Sequence, residues 1–126
     1  MPHVLLVEDN EMNQNMLSRR LRRQGYEVDV AADGEQAIAM VAERRPDIIL
    51  MDIGLPGRDG HDITRELKAS ESSKSIPIIA LTAHAMKSDR DKAMAAGCDD
   101  YDTKPVEMER LLTKMQAALS TVQLQS

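Results

Sequence analysis

The sequence predicts a doubly wound α/β domain, a five-stranded parallel sheet flanked by five helices, and three observations carry that prediction. Apolar runs of about five residues recur, and each is followed by a segment whose apolar residues fall at helical spacing, the alternation that parallel strands with crossover helices produce. The runs Ile48 to Met51 and Pro77 to Leu81 are nearly unbroken, as strands covered on both faces must be, so both are expected at the centre of the sheet. At 126 residues the chain can bury roughly two-thirds of its unfolded surface, and no linker, internal repeat or leftover stretch marks a second unit. Residues 1–126 are therefore expected to form one domain, with its core from about 3 to 119.

The first strand is Val4 to Val7, and Met12, Met16, Leu17 and Leu21 mark the first helix, which Gly25 should end. Glu27 to Ala31 alternates Val28 and Val30 with polar residues, the pattern of a more exposed strand. Asp33 is placed to cap the second helix ahead of Gly34, with Ala37, Ile38, Val41 and Ala42 as its apolar stripe. Ile63 and Leu67 mark the helix after the third strand, and Ser70 to Ser75 is expected as a solvated loop before the fourth. Lys87 to Ala96 has a thin stripe and a stop signal in Gly97, so the fourth helix should be short and marginally packed. A weak strand around Asp100 to Thr103 precedes a last helix that Pro105 is expected to open, with Leu111, Leu112, Met115, Ala118 and Leu119 on one face.

With two Tyr, no Phe and no Trp, the core must be aliphatic, and nine Met supply adaptable packing. A formal charge of −5 sets the surface against nucleic acid and anionic lipid, and no domain-sized basic patch overrides it. The run Val4 to Val7 is far too short for a signal or membrane-spanning segment, so a cytoplasmic protein is expected. Cys98 is alone, no Cys or His cluster has zinc-ligand spacing, and Cys98 reads as a small packing residue rather than a redox thiol. Arg19, Arg20, Arg22 and Arg23 form a basic run near the end of the first helix, where cations complement the helix dipole. A solvated face accounts for them, and a docking patch for an acidic partner is the sharper reading.

In an open parallel sheet, ligands bind beyond the carboxyl ends of the strands, and four of the five such positions here carry reactive groups. Glu8 and Asp9 follow the first strand, Asp52 the third and Thr82 the fourth, while the fifth leads to Lys104. Singly, an Asp after a strand is commonly a cap and a Lys before Pro a solvated charge; the spacing across four strand ends reverses that preference. Three carboxylates converging on one crevice repel each other unless a cation neutralises them, and an oxygen-only ligand set completed by water suits Mg²⁺. Cation, Lys104 and the Thr82 hydroxyl would cradle phosphoryl oxygens, leaving a carboxylate as the nucleophile.

These motifs resemble the response-regulator receiver family from Val4 to about Leu119: VLLVEDN with Glu8 and Asp9, LMDIGLPGRDG around Asp52, ALTA with Thr82, and YDTKP with Tyr101, Lys104 and Pro105. The resemblance implies a flavodoxin-like strand order of 2-1-3-4-5, and it makes Asp52 a phosphoacceptor served by a histidine kinase or a histidine phosphotransfer protein. It implies Mg²⁺ held by Glu8, Asp9, Asp52 and the Gly54 backbone carbonyl, Lys104 in contact with the phosphoryl group, and a cis peptide between Lys104 and Pro105. It further implies a switch in which Thr82, followed by Ala83, closes on the phosphate while Tyr101 rotates inward. Gly54, where such domains often carry a larger polar residue, and His84, two residues after Thr82, are expected to tune the phosphoryl lifetime. The EDN-x-x-N stretch with Asn10 and Asn13 looks most like receivers of phosphorelays and hybrid kinases.

The expectation is a signalling module that turns over only its own phosphoryl group and acts on a downstream protein, with no nucleic acid or membrane as partner. Two rivals share its parts. A Mg²⁺-dependent phosphatase with a nucleophilic aspartate commonly places a second aspartate two residues on, where Gly54 stands here. A flavin protein needs a hydroxyl- and glycine-rich loop where Glu8, Asp9 and Asn10 would repel the cofactor phosphate. Met1 directly before the first strand favours a stand-alone protein over a receiver cut from a hybrid histidine kinase.

Overall fold

The computed structural model describes residues 2–83 and 86–125, with side chains described as far as residue 120. Strands and helices alternate in the order β1 (His3–Val7), α1 (Glu11–Arg23), β2 (Glu27–Ala31), α2 (Gly34–Glu43), β3 (Ile48–Asp52), α3 (Gly60–Ala69), β4 (Ile78–Thr82), α4 (Lys87–Ala96), β5 (Asp100–Thr103) and α5 (Met108–Gln125). All pairings are parallel and the sheet runs β2-β1-β3-β4-β5, the order implied by the family resemblance. Asp52 and Thr82 are thus the last residues of β3 and β4 rather than the first residues beyond them.

Period-two alternation divides the apolar side chains between two cores. Leu5, Val7, Ile49 and Met51 face α2, α3 and α4, where Ala37, Ile63, Leu67 and Ala93 meet them. Val4, Leu6, Ile48 and Leu50 face α1 and α5, against Leu17, Leu21, Leu111 and Met115. Because β1, β3 and nearly all of β4 are buried on both faces, their runs are unbroken, while the edge strand β2 alternates.

Helix starts follow their local chemistry. Asn10, Asp33 and Asp59 each accept a hydrogen bond from the backbone N–H three residues on, capping α1, α2 and α3. Helix α4 has no side-chain cap, buries only Ala93 and Ala96, and stops at Gly97, whose φ of 106° lies in the left-handed region that suits glycine.

Four details depart from the sequence reading. Met12 and Met16 point outward, 79% and 40% exposed, because the buried face of α1 is centred on Leu17 and Leu21. Ala42 likewise lies on the exposed side of α2. The segment before β4 is a tight turn rather than a wholly solvated loop, since Ser73 is buried and its hydroxyl donates to the Leu67 carbonyl at 2.6 Å. Pro105 does not open α5: the Lys104 N–H is held by the Thr82 carbonyl at 2.8 Å, so the chain must turn first, and the first helical bond runs from the Leu111 N–H to the Glu107 carbonyl.

Candidate functional site

Parallel register brings the ends of β1, β3, β4 and β5 to one rim, where Val7 pairs with Met51, Asp52 with Leu81 and Thr82 with Thr103. Carboxylate oxygens of Glu8, Asp9 and Asp52 all lie within 4.8 Å of one another. Glu8 and Asp52 are buried, 1% and 5% exposed, and Asp9 is exposed. Lys104 reaches across from beyond β5, its Nζ 3.0 Å from Glu8 Oε1 and 3.1 Å from Asp52 Oδ2.

Backbone and side-chain donors fix the acids further. The Gly54 N–H donates to Asp52 Oδ1 at 3.0 Å, and the Asp9 N–H to Glu8 Oε2 at 3.1 Å. Gln14 in the first turns of α1 donates from Nε2 to the Glu8 carbonyl at 2.6 Å. Burial and the neighbouring Asp52 carboxyl hold Glu8 above the usual carboxylate range, against the pull of Lys104. Burial alone would raise Asp52 too, but hydrogen bonds from Glu8, the Gly54 N–H and Lys104 outweigh it and leave Asp52 below that range. The two buried acids are thus pushed in opposite directions, Glu8 toward its neutral form and Asp52 toward its charged form. Burial works against the Lys104 ammonium, yet Glu8 and Asp52 more than compensate and hold its pKa up, so it stays a fixed cation. One lysine stands against three carboxyl groups, and oxygen donors with no His or Cys among them fit a hard divalent cation.

The remaining positions singled out from sequence fall as follows. Thr82 is partly exposed at the rim, Ala83 is exposed in the bend after it, and His84 lies outside the described residues. Lys104–Pro105 is a cis peptide. Tyr101 is half-buried against the α2–α4 core, its ring centroid 4.9 Å from Lys114 Nζ and 5.8 Å from the Arg90 guanidinium carbon. A Cβ at Gly54 would stand 3.8 Å from Asp52 Oδ1, ordinary contact, so space does not demand glycine there.

Gly60 and Arg58 were missed by the sequence reading. A Cβ at Gly60 would sit 2.4 Å from the Asp52 carbonyl oxygen, so only glycine lets α3 start directly behind the acid. Asp59-Gly60, a cap followed by glycine, was the available signal. Arg58 pairs with Glu35, Asp62 and Glu66 and braces the β3–α3 connection. Beside the site, an apolar groove of about 320 Å³ runs between α1 and the β5–α5 connection, lined by Met16, Leu17, Arg20, Lys104, Pro105 and Val106 among others.

A doubly wound sheet with an acid cluster and one lysine gathered at its carboxyl rim is the arrangement of a receiver domain. The family model for the response regulator receiver domain matches residues 4–116, and the chain belongs to that family, a component of two-component signalling. It is 38% identical over 116 residues to the polar-differentiation response regulator DivK of Brucella anthropi, a match covering 92% of this chain and 94% of DivK. Among solved structures, the receiver domain of sensor histidine kinase PA1611 from Pseudomonas aeruginosa PAO1, which has a magnesium ion coordinated in its active site cleft, superposes with a TM-score of 0.87. It is 43% identical, over 94% of this chain and 98% of that one. A response regulator from Chloroflexus aurantiacus J-10-fl superposes at 0.91 with 34% identity, over 94% and 98% of the two chains. Among the described residues, no helix is long and apolar enough to cross a membrane.

Proposed function

We propose that Asp52 accepts a phosphoryl group from a phosphohistidine of a histidine kinase or phosphotransfer protein. The observation that carries this is the placing of an ionised, nearly buried Asp52 between the Glu8–Asp9 pair and Lys104. An Asp52 carboxylate oxygen attacks phosphorus, the phosphorus–nitrogen bond breaks, and the leaving imidazole keeps the electron pair and takes up a proton. Glu8, Asp9, Asp52 and the Gly54 carbonyl would hold Mg²⁺, which would supply neutralisation of the acid cluster and of the phosphoryl oxygens. Lys104 pairs with the charge that builds on those oxygens. The groove beside Lys104 leaves the α1 side of the site open to a protein donor.

The signal then passes to a partner protein through a change around β4, α4 and β5. Thr82 and the backbone at Ala83 close on the phosphoryl oxygens and Tyr101 turns inward behind them. Gly54 and His84 at the rim set how long the aspartyl phosphate lasts. A setting within a hybrid kinase keeps the same chemistry, and the flanking coding sequence distinguishes it from a stand-alone regulator.

Incubation with acetyl phosphate and Mg²⁺ should label the protein at one position, with an adduct cleaved by hydroxylamine. Asp52→Asn should abolish labelling. Equal labelling of that variant would remove Asp52 from the role.

A further inference from the structure

Asp102 is an unusual residue for its place. It sits on the edge strand β5, paired in register with the fully buried Leu81, yet it is itself only 1% exposed. Its Oδ1 accepts from the Arg110 Nε at 2.6 Å and from the Thr103 N–H at 2.8 Å, while its Oδ2 is buried with no hydrogen-bond partner among the described residues. Arg110, in the first turn of α5, also extends Nη2 toward the Thr103 carbonyl and hydroxyl, both at 3.4 Å, and Nη1 to Glu107 at 3.1 Å. The four residues between β5 and α5, Lys104 to Glu107, are the connection that carries the site lysine.

Asp102 is buried while the Arg110 side chain is 38% exposed, and burying a carboxylate to make such a pair is a poor way to gain stability, since an apolar side chain fills such a space as well or better. What the pair supplies and an apolar contact lacks is direction. Arg110 fixes the start of α5 relative to the last two residues of β5, and the Lys104 N–H is pinned on the other side by the Thr82 carbonyl at 2.8 Å. A lysine with a long, flexible stem is thereby launched from a backbone point held on both flanks, and its Nζ arrives between Glu8 and Asp52. We infer that Asp102 and Arg110 are positioning residues, a strut that sets Lys104 for phosphoryl transfer to Asp52. This rests on the reading of Asp52 as phosphoacceptor.

Arg110→Ala would leave the buried Asp102 carboxylate with only the more distant Lys114, 3.9 Å from Oδ1, and endanger the fold, so the informative variant is Asp102→Leu combined with Arg110→Leu, which keeps volume and removes the directed bonds. Four quantities are read: melting temperature, Mg²⁺ affinity by titration, the ¹⁵N-resolved Nζ signal of Lys104, and the phosphorylation rate at saturating acetyl phosphate and Mg²⁺. Expected are a retained fold and Mg²⁺ affinity, a shifted or exchange-broadened Lys104 signal, and a rate lowered roughly 10- to 100-fold, the scale of a misplaced catalytic group. Arg110→Lys keeps the charge but loses the fork that reaches Asp102 and Thr103 together, and should move signal and rate in the same direction. Parental Lys104 signal and rate in either folded variant would overturn the strut. An unlabelled parent protein would instead overturn the phosphoacceptor reading, and the Lys104 signal, which needs no phosphoryl group, would still decide the strut.

Discussion

On the β2, β1 and β3 side of the sheet, each helix that follows a strand begins with a side-chain cap and buries at least two side chains other than alanine or, in α2, an Ala and a Val, whereas α4 on the β4–β5 side begins uncapped and buries two alanines. The strands differ in the same sense: every residue of β1 and β3 is buried, while in β5 only Asp102 is. The acids of the site stand on the well-anchored half, where geometry must be held. Thr82 and Tyr101 flank the loosely anchored element, which in the proposed switch is the part that would answer a small bias at the rim.

Truncating the anchored half should cost most. Leu21→Ala in α1 removes a fully buried side chain and should lower unfolding free energy by about 2–5 kcal/mol in a urea titration. Within the same half, Asp9→Asn should weaken Mg²⁺ binding about tenfold or more, ~1.4 kcal/mol, without a comparable loss of stability. Unchanged affinity would take Asp9 out of the ion site. In α4, Ala93→Gly should cost only about 1 kcal/mol globally, and its local effect should appear as faster amide exchange over residues 87–103.

The response itself sharpens the contrast. Beryllofluoride, which mimics an aspartyl phosphate, should shift amide resonances over residues 82–104 more than those of α1 or α2. Thr82→Ala should still accept phosphate at Asp52 while the shifts at Tyr101 and α4 shrink; a full response in that variant, or a main response centred on α2, would sever the proposed link. The smallest effect concerns Cys98, just beyond α4, whose thiol burial pushes up to about 11 despite its contact with Thr64. It should react with iodoacetamide at pH 8 far more slowly than a free thiol, and faster when α4 opens. Because the folded value is the higher one, the thiol's contribution to stability is intact below its ordinary value of 9.0 and fades as pH rises toward about 11.

Strand positions and their burial were legible in the sequence because an apolar run is a local property, and a parallel sheet always gathers its carboxyl ends on one rim. That is why the sequence already gathers Glu8, Asp9, Asp52, Thr82 and Lys104 at one rim. The weak packing of α4 was legible for the same reason, from a thin stripe within ten residues. The phase of a stripe was less so: Met12 and Met16 match helical spacing as well as Leu17 and Leu21 do, and only the direction in which α1 lies on the sheet turns them to solvent.

Neighbouring acids were separated by tertiary structure alone. Glu8 and Asp9 are adjacent and chemically alike, yet Gln14 and Lys104 fold over the first and leave the second open, so one carboxylate is buried in the site and the other exposed at its edge. Asp102 reads in sequence as one more polar residue of a weak strand, and it becomes a buried anchor only because α5 returns Arg110 to it. Gly60 must be glycine because a Cβ there would stand 2.4 Å from the Asp52 carbonyl oxygen, where α3 begins. In each case the deciding partner lies on another element, and distance along the chain carries no record of that approach.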